Sequence, residues 1–119
     1  MHALVAIPKK TIQRVVQSHL EQMSIQVTAT ENGLEAQDSL KANTYDLPIT
    51  EEFLPYINGL ELIEFARSMK IPTIVIGDTN SEEKVTEAFA LGAADFISKP
   101  YSVGALGARV KNMLTHYRI

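Results

Sequence analysis

The chain has no cysteine, which excludes a disulfide scaffold, thiol catalysis and thiolate metal sites. Long apolar runs are missing too. The longest, such as Ala3–Ile7, are about five residues, far short of the ~20 that a membrane-spanning helix needs. The Met1–Leu4 start lacks the apolar segment of a signal peptide. Charge of one sign does not dominate: 11 basic and 14 acidic residues give −3, and no like-charge run exceeds three residues. A nucleic-acid-binding module would normally carry a basic stripe. The three histidines, His2, His19 and His116, are scattered without ligand spacing or a triad partner and are expected at the surface. Gly104 and Gly107 lie inside a helical segment, so they form no phosphate-binding glycine loop.

What remains is an ordinary folding composition, 45% apolar and 21% charged over 119 residues. That length suits a single domain, 1–119, burying roughly two thirds of its unfolded surface without a disulfide or structural metal. A small cytoplasmic domain is expected.

Apolar periodicity divides the chain into alternating strands and helices. Ala3–Ile7 is a short buried strand, and Ile12, Val15, Val16 and Leu20 follow at helical spacing. Ile25–Ala29 alternates as a strand, Thr30–Gly33 is turn chemistry, and Leu34–Ala42 is helical. Asp46–Thr50 is a third strand carrying an awkward Pro48, which removes a ladder donor from a strand expected to be central. Leu60–Met69 is a helix, and Pro72–Ile76 is a β-branched, uncharged strand. Asn80 and Glu83 have capping-box spacing at the start of the next helix, which Gly92 ends. Ala94–Ile97 is the fifth strand, and Val103 to about His116 the last helix. The alternation implies an α/β fold, a doubly wound parallel sheet with helices on both faces. Its binding crevice should lie at the carboxyl ends of the strands, among Ile7–Lys9, Thr50–Glu52, Gly77–Asp78 and Ser98–Pro100.

From about Ala3 to Leu114 the chain resembles a response-regulator receiver domain, a CheY-like (βα)5 fold. The resemblance rests on Glu31-Asn-Gly33, Tyr45-Asp46-Leu47, Leu54-Pro55 with Asn58-Gly59, Ile71-Pro72, Leu91-Gly92-Ala93 with Asp95-Phe96, and Lys99-Pro100-Tyr101. Their order and spacing carry it, since no one of them is specific. It implies five parallel strands in the order 2-1-3-4-5. It also implies a five-part site: an acidic metal-binding pair, an acceptor aspartate, a hydroxyl residue, and a lysine followed by a cis proline. On this sequence the acidic pair falls on Ile7 and Pro8, the acceptor on Glu51, the hydroxyl on Gly77 and the lysine on Lys99. The aromatic coupled to the hydroxyl in the family falls on Phe96, which is expected in the core.

These departures make the chain similar to a degenerate receiver, a pseudo-receiver. Without an acidic pair, and with Lys9 and Lys10 nearby, a Mg²⁺ ion loses its hard oxygen ligands, and phosphoryl transfer loses its neutralising cation. No metal, cofactor or enzymatic activity is expected. Glu51, one methylene longer than aspartate, would pair with Lys99, with Lys9 or Lys10 joining; the alternative is a solvated Glu51. Glu52 is expected to face solvent, and Asp78 to serve as a turn or cap residue rather than enter the cleft. Pro8 stiffens the loop after the first strand.

The expected function is a phosphorylation-independent regulatory domain of two-component signalling that acts through protein contacts. It could stand at the N-terminus of a longer protein, with an output domain or other protein as partner and no direct nucleic-acid or membrane contact. Lys84, Glu87, Asp95, Tyr101, Arg109 and Lys111 mark the fourth helix, fifth strand and fifth helix, a face of mixed charge suited to a two-fold homodimer contact. The alternative function is a binding module in which Lys9, Lys10 and Lys99 hold a small anion.

Overall fold

A computed structural model describes residues 1–78 and 81–117. The order of elements is β1 (His2–Ala6), α1 (Lys10–Gln22), β2 (Gln26–Thr30), α2 (Gly33–Ala42), β3 (Leu47–Glu51), α3 (Gly59–Ser68), β4 (Ile74–Gly77), α4 (Glu82–Leu91), β5 (Asp95–Ser98) and α5 (Val103–Tyr117). The strands form one parallel sheet in the order β2-β1-β3-β4-β5. This is the expected doubly wound arrangement, with the order reversing between β1 and β3.

Strand alternation sorts side chains to the two faces. Ala3, Val5, Leu47, Ile49, Ile74, Ile76 and Ile97 join Val16 and Leu20 of α1 and Leu106 and Val110 of α5 in one core. Leu4 and Ala6 pack with α2 and α3, while Val75 and Phe96 pack with Ile63 and Ala88 on the same opposite face. Fully burying each Leu, Ile or Val is worth roughly 1.5–3 kcal/mol, so both layers of helix are held by the sheet's two apolar faces.

The helix ends follow local chemistry. Asn32 and Asn58 accept hydrogen bonds from the amides of Glu35 and Glu61, capping α2 and α3. Gly92 ends α4 at φ 114, a left-handed conformation natural for glycine. The Asn80 cap expected for α4 lies outside the described residues, and Ser81 accepts from the Lys84 amide there.

Strand boundaries shift by one or two residues. β4 begins at Ile74, so Pro72 and Thr73 precede it. Pro48 is tolerated because β3 starts at Leu47 and its pairing with β4 begins only at Ile49↔Ile74; the missing donor thus falls at the strand's beginning, where proline is allowed.

The α1 stripe differs from the expected one. Its buried residues are Gln13, Val16 and Leu20, whereas Ile12 and Val15 are 39% and 54% exposed. Gln13 is buried because its Nε2 donates to two backbone carbonyls, Ile7 O at 3.1 Å and Thr30 O at 2.9 Å. His2 is half-buried rather than at the surface: its Nε2 meets Thr28 Oγ1 at 2.7 Å and its ring lies against Tyr45. Among the described residues no helix is long and apolar enough to cross a membrane.

Candidate functional site

The carboxyl ends of β3 and β5 bring Glu51 and Lys99 together. In period-2 alternation Glu51 continues the Leu47–Ile49 face and Lys99 the Ile97 face, so both side chains turn to the α1–α5 side of the sheet. Lys99 Nζ donates to Glu51 Oε1 at 2.7 Å and lies 3.1 Å from Asp78 Oδ1. Glu51 is 7% exposed as a residue, while the Lys99 side chain retains 38%. One cation therefore serves two carboxylates, a buried one and an exposed one. Burial opposes the Lys99 charge most strongly as a single effect, yet the bonds and charges of Glu51 and Asp78 together raise its pKa above the ordinary 10.5. Lys99–Pro100 is a cis peptide.

Other predicted members sort differently. Lys10 pairs with Glu31 at 2.7 Å on the exposed side, so it does not join Glu51, and three lysines do not converge on one anion. Lys9 borders the crevice with no ion pair among the described residues. Asp78 enters the cleft on Lys99 instead of acting only in its turn. Ile7 is fully buried in the α1–α5 core, its amide bonded to Thr30 O, and Pro8 lines the crevice.

Glu52 is the plainest correction: it is 3% exposed, not solvent-facing. Its amide donates to Ile76 O and its carbonyl accepts from Gly59 N, both at 2.9 Å. A Cβ on Gly59 would stand 2.1 Å from the Glu51 carbonyl oxygen; this close approach of α3 to the end of β3 draws Glu52 inward. Its Oε1 is buried without a hydrogen bond among the described residues.

On the opposite face of the sheet, Phe96 is buried as expected and its ring covers Gly77. A Cβ on Gly77 would lie 2.2 Å from the ring's Cζ, a distance that two carbon atoms cannot share. The space a hydroxyl side chain would need is thus filled by the aromatic ring.

Tyr101 departs from the surface role expected of it. It packs against the α1–α5 core and lines the same crevice as Glu51 and Lys99. Its hydroxyl is buried with no hydrogen-bond partner among the described residues. Burial, then the Glu51 charge, pushes its pKa up despite the opposing Lys99 charge, so the phenol keeps its proton. Asp95 and Arg109 pair with each other at 2.9 Å, Arg109 also reaching Phe96 O at 3.3 Å. Lys84 and Glu87 lie on α4, while Lys111 borders a separate cavity beside Met1, Met23 and Ser24. Of the six, Tyr101 lies on the crevice and Asp95 and Arg109 are engaged with each other.

Sequence reasoning missed Gln13 and the exposure of Ile12 and Val15. The signal available was the spacing of residues 13, 16 and 20, which a polar residue at its head concealed.

With fold and crevice in place, comparison with known proteins defines the class. Residues 4–111 match the response regulator receiver domain family, and the chain belongs to it. The response regulator SaeR of Staphylococcus aureus is 30% identical over 119 residues, covering 98% of this chain and 52% of that protein. This chain thus spans about half the length of the curated relatives it matches. The receiver domain of the Francisella response regulator 1452 superposes with a TM-score of 0.92 at 28% identity, covering 98% of each chain. A two-component response regulator from Clostridium difficile shares the fold, with a TM-score of 0.93 at 24% identity over 100% of this chain and 99% of that one.

The family implies a Mg²⁺ ion, and the donor set does not fit one. The positions that would supply its acidic pair hold a buried Ile7 and a Pro8. The carboxylate of Glu51 is already engaged by an ammonium. Among the described residues no group of three His, Asp or Glu side chains could hold a metal.

Proposed function

We propose that this receiver domain regulates without phosphoryl transfer, as a pseudo-receiver held in one state by its own side chains. The observation that carries the reading is the Glu51–Lys99 contact at 2.7 Å, at the position the family gives to its acceptor aspartate. There the carboxylate stands as an internal counter-ion for the lysine. Charge-assisted bonds of this length are about twice as strong as neutral ones, and Asp78 adds a second acceptor. A nucleophile so engaged, with no metal-binding pair beside it, has neither the freedom nor the charge neutralisation that phosphoryl transfer requires. The domain is then no enzyme and needs no cofactor. It acts in the cytoplasm through contacts with a protein partner or an output domain, in keeping with relatives about twice its length.

The test is phosphoryl transfer itself. Incubation with radiolabelled acetyl phosphate and Mg²⁺ should leave the protein unlabelled. Titration with Mg²⁺ and beryllofluoride should leave the amide resonances of Glu51, Gly77 and Lys99 in place. Stoichiometric labelling, or saturable shifts at those three amides, would refute the reading.

A further inference from the structure

Beside the ion pair, between α1 and the β5–α5 connection, lies a cavity of about 560 Å³. Pockets that hold small molecules run from about 300 to 1,000 Å³, mostly apolar with a few polar groups that fix orientation. This one has that make-up. Ile12, Val15 and Val16 form its wall on α1 and Val103 on α5. Ile12 and Val15 are among the chain's exposed large hydrophobic residues, and both stand on the same cavity.

Among the described residues two polar groups of the wall have no protein partner, one buried and one, Lys9, exposed. The Tyr101 hydroxyl is shielded from solvent without a hydrogen bond among the described residues, and an unsatisfied buried hydroxyl is unfavourable until something bonds to it. Lys9 is the second. Lys99 is shared by Glu51 and Asp78, and Lys10 is held by Glu31, so Lys9 is the wall's cation without an ion pair among the described residues. α1 also begins at Lys10 with no side-chain cap and no acidic residue in its first turn, so its positive end adds to the charge of Lys9.

We propose that this cavity binds a small amphipathic carboxylate, with its apolar body against Ile12, Val15 and Val103 and its anionic head at Lys9. The inference does not rest on whether Glu51 accepts a phosphoryl group. An uncharged apolar ligand would leave Lys9 unpaired, and a purely ionic one would leave the apolar wall wet. A cationic ligand would meet Lys9 as a like charge. The head belongs at Lys9 because Lys99, the other cation of the wall, is already engaged by Glu51 and Asp78.

The test is an amide NMR titration of the 119-residue chain with three probes: naphthalene-2-carboxylate, its neutral isostere naphthalene-2-carboxamide, and inorganic phosphate. The carboxylate should shift the amides of Ile12, Val15, Tyr101 and Val103 saturably. The carboxamide should bind about tenfold more weakly, equivalent to ~1.4 kcal/mol, and phosphate alone should not shift these amides. Lys9→Gln should cost the carboxylate a similar factor. Val15→Glu, at a position exposed enough for the fold to tolerate it, should abolish binding. Absence of saturable shifts with the carboxylate at millimolar concentration would overturn the proposal. So would equal affinity for the carboxamide, or shifts confined to another face. Saturable binding of an amphipathic helical peptide to α1, with no response to the carboxylate, would assign the cavity to a protein partner and overturn it as well.

Discussion

At the scale of single residues, Gly77 and Phe96 are tightly matched. A methyl group at 77 would meet the ring at 2.2 Å, so Gly77→Ala must turn Phe96 out of its cluster with Ile63, Val75 and Ala88. Overpacking of this kind costs about 1–3 kcal/mol. For a chain of this length that lowers the melting temperature by roughly 4–12 °C. Phe96→Ala is expected to be destabilising by itself, but the double variant should lose less than the sum of the two, because the smaller side chain vacates the space the new methyl needs. Thermal unfolding of the four proteins checks this, and strict additivity would show that ring and glycine do not constrain each other. The identity of both residues was plain in the sequence. The family resemblance linked the two positions, but not the ring's seat over the glycine, which depends on which face and rotamer each side chain takes.

At the scale of elements, the least legible feature was the joint between β1, α1 and β2. Sequence periodicity located α1 to within a few residues but chose the wrong stripe, since Ile12 and Val15 are apolar and Gln13 is not. Burial went to Gln13 because the strand ends present carbonyls that need donors. Pro48 was equally hard to place from sequence, as its tolerance depends on where β4 begins to pair. By contrast the alternation of elements follows from local periodicity, and the strand order from the family resemblance. The clamp makes a clear prediction. Gln13→Met keeps the shape of the side chain and removes its donors, so Ile7 O loses that bond and Thr30 O keeps only the one from the Ile7 N–H. It should destabilise the protein by about 1–3 kcal/mol. Amide exchange at Ile7, whose N–H bonds Thr30 O at 3.1 Å, should accelerate more than exchange in β4. Unchanged protection at Ile7 would show that the loop is held by something else.

At the scale of the whole molecule, stability should fall in alkali. Lys99 titrates above its ordinary 10.5 in the folded chain, and Tyr101 above its ordinary 10.0. Between the unfolded and folded values of each group the folded state holds more protons, so stability decreases as pH rises. The contribution of each group is complete below its unfolded value and is lost as pH passes through the folded one. Urea unfolding from pH 9 to 12 should show this loss, and Lys99→Met combined with Tyr101→Phe should flatten it. An equal slope in that variant would mean that other groups govern alkaline unfolding. The pairing of Glu51 with Lys99 was readable in advance from the family motif, because the residues at two strand ends determine it. The inward turn of Glu52 and the placement of Tyr101 on the crevice were not, because each depends on the backbone packing around it.

The ring on Gly77 also bears on how such a sequence can change over time. A chain that acquires a hydroxyl-bearing residue at 77 while Phe96 stays in place passes through a strained form. A chain that first exchanges Phe96 for something smaller opens a void beneath the glycine. Neither single step is neutral, so the order in which the two substitutions are accepted is constrained. Descendants of this sequence that carry a side chain at 77 are expected either to turn the ring at 96 away from it, as a family that sets a hydroxyl residue beside an aromatic at these positions must, or to replace the ring.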